Sequence, residues 1–234
     1  MEKQTFNRTG ATCAGVGAVV TVVSWGIHPE ITDPAGYLPI VAGSSHFVGI
    51  HWGLIIGMVL MQFGLAAVML ALREQPAPND AGGWAQSGFY ALLVGFVLWI
   101  GVFMTEVALK PLADGLRTDP TLASGALALS GLQDAGATAA SFVYSLGVAL
   151  LGIALLVSRR FPRWMGASGL VLGAVTSLGL GLPRMFVGKS ALTEKIGSPI
   201  LGTLVLVWVF VLGVMLWRMA GAGQRQAPVA RATA

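Results

Sequence analysis

Three histidines occur in the chain, and two of them, His46 and His51, open one long apolar stretch that runs to Gln62. The third, His28, closes the apolar run before it, and Glu106 lies near the end of the run after it. Imidazoles and carboxylates bind metals and orient polar ligands, and they are costly in hydrocarbon. An ionisable residue in a membrane segment therefore marks a functional site by default. His28, His46, His51, Glu106, Arg184 and the midspan Gln62 are the candidate ligand-binding residues. His28, His46 and His51, with Met58 or Met104, are the candidate metal ligands, and haem or copper is the cofactor they would hold.

Helical spacing separates these candidates. His46 and His51 are five residues apart, which sets them about 140° apart on a regular helix. They do not close on one ion as an i,i+4 pair does. His46 shares its face with Gly49, Gly53 and Gly57 and is expected to point into the bundle. His51 shares another face with Ile55, Met58 and Gln62, and it is the stronger candidate for chemistry. Each polar residue also has a plainer use. Glu106 stands four residues before Lys110, the favourable order for a helical ion pair. Asp134 suits a helix N-cap, and Arg184, after Pro183, can reach the headgroups.

The elements that must carry these residues are membrane spans. Of 234 residues, 55% are hydrophobic and 10% charged, with a mean hydropathy of +0.77. A water-exposed domain carries about 25% charged residues, so most of this surface faces something other than water. Continuous apolar runs near the ~20 residues that cross a bilayer, without strand-like alternation, indicate an all-α polytopic bundle and exclude a β-barrel. Six spans are expected, at about 10–28, 46–72, 84–110, 135–158, 165–183 and 199–219, in a single domain covering 1–220. Residues 29–45 and 111–133 read as loops, the second with Asp119-Pro120 opening a short helix over Thr121–Leu132. Asp134 would cap the fourth span, and 221–234 reads as a disordered tail.

Nine Lys and Arg fall on the side holding both termini and five on the other, which puts the termini in the cytoplasm of a bacterial inner membrane. The net charge of +4 sits between apolar runs, where it orients the chain, and does not suggest nucleic acid. One cysteine, Cys13, allows no intrachain disulfide. Small residues recur every fourth position in the second span (Gly49, Gly53, Gly57) and the fifth (Gly169, Gly173, Ser177, Gly181). Weaker series occur in the first (Gly10, Ala14, Ala18) and fourth (Ala135, Ala139). Such stripes let membrane helices approach closely, so a compact bundle is expected.

With this orientation His28, His46, His51, Glu106, Asp134 and Arg184 all fall on the outer side. Three function classes can use the cluster. The favoured one is an outward-facing pocket for a lipid-like or small-molecule ligand, or for a membrane-protein partner or second copy, as in an accessory subunit. The second is a histidine-ligated metal or haem redox protein, although the chain has no HxxxH or CxxCH. The third is a small secondary transporter, although its halves show no internal repeat. Enzymatic chemistry is less supported, because Ser-His-Asp spacing, a Walker loop, a nucleotide-fold glycine motif and HExxH are all missing.

Overall fold

Apolar runs longer than twenty residues satisfy their backbone polar groups within lipid only by becoming helices. The computed structural model describes residues 3–29, 37–74, 80–116, 118–158, 160–187 and 200–225, and among these it contains helices and no strand. In chain order they are α1 (Lys3–Gly26), α2 (Tyr37–Gly43), α3 (Phe47–Arg73), α4 (Ala81–Gly115) and α5 (Ala123–Ser158). Then come α6 (Arg163–Thr176), a π-helical turn (Ser177–Gly181), α7 (Leu182–Val187) and α8 (Gly202–Arg225). Among the described residues, five stretches are long and apolar enough to cross a membrane: Gln4–Gly26, Phe47–Arg73, Ala81–Gly115, Pro120–Ser158 and Gly202–Gly221. This is the architecture of an all-helical membrane protein.

The expected boundaries need several corrections. The first helix starts at Lys3 and stops at Gly26, so His28 lies beyond its end. Within the expected loop 29–45, Tyr37–Gly43 forms α2. The expected loop 111–133 shrinks to a few residues. Helix α4 continues through Pro111 to Gly115, and α5 begins at Ala123 after the 3-10 turn Pro120–Leu122. Asp119 does cap that turn, accepting from the Thr121 N–H at 3.0 Å. Asp134 does not cap a helix, because its helix began a full three turns earlier.

Pro111 fails to end α4 because tertiary packing outweighs one lost hydrogen bond. Leu109 and Ala113 are buried against Tyr37, Val41, Phe47 and Ala126, and Lys110 pairs with Asp114 at 2.6 Å. The expected fifth span is interrupted by the π turn, and the last helix runs on to Arg225, into the expected tail. The rest of that tail, 226–234, lies outside the described residues.

Close backbone approach sets the helix order. In α1 and α3, Gly10 faces Ala67, Ala14 faces Gly64, Gly17 faces the Gly57 carbonyl and Ser24 faces Gly53. A Cβ on Gly17 would stand 2.5 Å from that carbonyl oxygen. Gly88, Gly95 and Gly147 bring α4 against α5 in the same way, and Gly152, Gly166 and Gly173 bring α5 against α6. Of the expected stripes, Gly49 has no heavy atom near its Cβ position and Ala135 is exposed, so neither takes part.

Exposed large apolar side chains such as Val19, Phe63, Val97 and Val171 lie on the outward surfaces of these helices, as lipid-facing positions require. Polar links tie the ends. Gln4 donates to the Ala220 carbonyl at 2.9 Å, and Trp208 donates to the Met165 carbonyl at 3.0 Å.

The close contacts yield a paired prediction. Gly57→Ala should cost about 1–3 kcal/mol, because its methyl meets the α1 backbone, whereas Gly49→Ala should be neutral or slightly stabilising. Thermal unfolding in detergent, run on both variants, measures the difference.

Candidate functional site

The antiparallel register of α1 and α3 places the site. Stepping outward from the Ser24–Gly53 contact, the next turn brings residue 28 beside residue 51. Helix α1 tightens at its end, where the His28 N–H bonds the Trp25 carbonyl at 3.1 Å. The His28 ring stacks on Trp25, with centroids 5.9 Å apart. Its Nε2 lies 3.3 Å from His51 Nε2. Helix α4 supplies the third member: Glu106 Oε2 is 2.6 Å from His51 Nε2.

Backbone carbonyls orient both imidazoles. His28 Nδ1 is 3.0 Å from the Pro29 carbonyl oxygen, and His51 Nδ1 is 2.6 Å from that of Phe47. A carbonyl oxygen only accepts, so each Nδ1 carries its proton and each Nε2 is turned toward the cluster. The Glu106 carboxylate is also held from behind. Gln133 of α5 donates its Nε2 to Glu106 Oε1, and Tyr37 of α2 donates to Gln133 Oε1 at 3.3 Å. Burial pushes the Tyr37 phenol far above its ordinary pKa, with the nearby Glu106 carboxylate adding to the effect, so it remains a donor.

Apolar walls close the rest. His51 is fully buried and Glu106 nearly so. Phe47 packs on the His51 ring at 4.2 Å between centroids, and Phe103 lies on another side at 6.2 Å. His28 is only half-buried and forms the open flank. Burial lowers the pKa of its imidazole, while the Glu106 carboxylate pulls in the opposite direction.

His28, His51 and Glu106 thus converge, and the other candidates do not. His46 is exposed and precedes the first turn of α3, contrary to the expectation that it points inward. Helix α1 ends at Gly26, and among the described residues no heavy atom lies within 4 Å of the Cβ position of Gly49, one turn above Gly53. Gln62 is buried eleven residues along α3 from His51, about 16 Å deeper at 1.5 Å per residue. It donates to the Leu92 carbonyl at a long 3.5 Å, and among the described residues its Oε1 has no partner, as is also true of the Tyr144 hydroxyl.

Met58 is buried about 10 Å deeper than His51 by the same rise, and Met104 is exposed, so neither joins the cluster. Lys110 pairs with Asp114 and the Ala42 carbonyl, leaving Glu106 to His51. Arg184 falls on α7, and its side chain lies outside the described residues.

Two participants were missed from sequence, Gln133 and Tyr37. Both sat in segments read as loops, and the visible signal was a lone glutamine beside Asp134 that a longer helix would turn toward Glu106. Comparison with protein families, with curated proteins and with solved structures finds no match.

If Gln133 holds Glu106, then Gln133→Leu should destabilise the protein by about 1–3 kcal/mol, because it leaves a buried carboxylate oxygen without its donor. Tyr37→Phe, which loses one long bond, should cost less than about 1 kcal/mol. Equal losses in chemical unfolding would remove Gln133 from the site.

Proposed function

We propose that this protein is a six-span bacterial inner-membrane protein whose working part is a polar site at the outer end of the bundle. The site, His28, His51 and Glu106, binds a small polar or charged ligand reaching it from the outer side. Helices α6 and α7, joined through the π turn, make the sixth crossing in this reading, so both termini share one side, and the larger number of Lys and Arg there supports the cytoplasm. Residues 1–220 then form one domain.

The observation that carries this reading is the His51–Glu106 pair buried within an apolar body. A buried ion pair contributes little net stability, since desolvation offsets its attraction, and well-packed apolar side chains serve a fold as well or better. Ionisable groups at this depth are most readily explained by what they bind. The half-buried His28 provides the approach, and the exposed Trp52 beside His51 suits a position at the membrane–water boundary. Helices α4 and α5 support the same placement. Their 35 and 36 residues make about 52–54 Å of helix, against ~30 Å of hydrocarbon, so their joined ends project well beyond the bilayer. Glu106 lies about 14 Å below that projecting tip, by nine residues of helical rise.

Two measurements test the reading. Single replacements, His51→Leu or Glu106→Met, should each cost about 3–5 kcal/mol by stranding a buried partner. The paired replacement should recover to wild-type stability or exceed it. A paired variant as unstable as the singles would show that the cluster serves the fold and not a ligand.

For orientation, with Cys13 replaced by Ala, a cysteine at Ser45 should react with an impermeant thiol reagent on intact spheroplasts. A cysteine at Glu74 should react only after lysis. The reverse pattern would invert the topology.

A further inference from the structure

We infer that the ligand of this site is a single divalent first-row transition ion of the zinc type, held by His28 Nε2, His51 Nε2 and Glu106 Oε2. This inference rests on the cluster being a binding site, and it names the ligand class.

The geometry points to an ion through the fixed tautomers. Because the Pro29 and Phe47 carbonyls take the Nδ1 protons, two Nε2 lone pairs and a carboxylate oxygen face one another. All three ligand atoms lie within 4.8 Å. Three acceptors cannot share such a space without a positive centre among them. One proton can serve a single short bond, such as the 2.6 Å contact between His51 and Glu106, and it leaves His28 Nε2 poorly served. One cation serves all three.

Distances favour a small tetrahedral ion. Bonds of about 2.0–2.1 Å at tetrahedral angles separate ligand atoms by about 3.3–3.4 Å, and His28 Nε2 and His51 Nε2 are 3.3 Å apart. The 2.6 Å His51–Glu106 separation is that of a hydrogen bond. Loading the ion therefore displaces the bridging proton to solvent and moves the carboxylate outward by under an ångström. Metal binding to such ligands releases protons in this way.

The donor set selects further. Two imidazoles and one carboxylate suit zinc or iron(II), and the sulfur of Met58 is too deep to recruit copper(I). Haem does not fit, because Phe47 and Phe103 flank His51 and the two Nε2 atoms already stand 3.3 Å apart, with no slot for a macrocycle.

The surroundings are those of a metal site too. Each ligating imidazole bonds a carbonyl through its other nitrogen, and the carboxylate is held by Gln133, the outer-shell pattern that orients metal ligands. Three protein ligands leave a fourth tetrahedral position on the His28 flank for water or an exogenous group. Among the described residues no other cluster of three metal-ligating side chains occurs.

The test uses the full chain in detergent, stripped with chelator and reloaded with Zn2+, with elemental analysis and calorimetry as readouts. Co2+ provides a spectroscopic stand-in, since visible absorption of tetrahedral intensity reports the coordination directly. About one ion per chain is expected, with loss of the cobalt spectrum in His28→Ala and Glu106→Gln. Gln133→Leu should weaken zinc affinity by about 10–100-fold, and His46→Ala should leave it unchanged. His28 lies beyond the end of α1 and is half-buried, so its variant tests binding without a large loss of core packing.

Failure to bind either ion, or binding that survives His28→Ala, overturns the metal assignment. The site itself is judged separately, by whether the paired apolar variant keeps its stability.

Discussion

The closeness of α1 to α3 is the constraint on which the rest depends. Lipid offers helices little reason to associate through apolar attraction, so contact must come from packing at short range. Gly17, Gly53, Gly57 and Gly64 remove the side chains that would hold the two backbones apart. Once these positions interlock, the antiparallel register allows no slippage, and the segment leaving α1 must arrive beside the first turns of α3. The His28–His51 contact is thus a consequence of contacts more than a turn below it. A register shift of one turn would move the His28 ring by about 5.4 Å and separate two nitrogens now 3.3 Å apart.

Glu106 enters from a different pair of helices. The α4–α5 hairpin is held by Gly88, Gly95 and Gly147, and its joined end is capped by Tyr37 and Val41 of α2 together with Phe47 of α3. Phe47 joins the two systems, because its side chain sits in the α2 cluster while its carbonyl orients His51 and its ring packs on that imidazole. Tyr37 does something similar, with its ring in the apolar cap and its hydroxyl on Gln133. The α2 cap and the polar site are therefore one packed unit. A change in α2 should be felt at the Glu106 carboxylate through Tyr37 and Gln133.

Much of this was legible in sequence, and the failures share a cause. Hydropathy located the long helices, and helical spacing separated His51 from His46 correctly, because both signals depend only on local periodicity. Pro111 was read as a stop since proline removes a helical hydrogen bond. It was overridden by burial of Leu109 and Ala113, which no local rule contains. The same error hid Gln133 and Tyr37 by assigning them to loops. His46 was misplaced because a small-residue face predicts a partner helix without saying where that partner ends. For Glu106 the sequence leaves two partners open, Lys110 four residues on and His51 within the shared pocket, and local spacing does not choose between them; the structure pairs it with His51.

The two ends of the bundle differ in a way that follows from what each must do. At the end that carries the α5–α6 turn, Arg160 donates to the Ala71 carbonyl and Gln4 to that of Ala220. Ala71 lies in the last turn of α3, where carbonyls run out of helical donors, and Arg160 supplies one; both contacts are complete within the chain. At the opposite end, the Pro29 and Phe47 carbonyls hold the imidazole Nδ1 protons, which turns both Nε2 atoms toward the cluster with Glu106. A fold that needed only to close its helices could use contacts of the first kind at both ends. The histidine end instead gathers two imidazoles and a carboxylate upon one another, the arrangement that the proposed cation would complete.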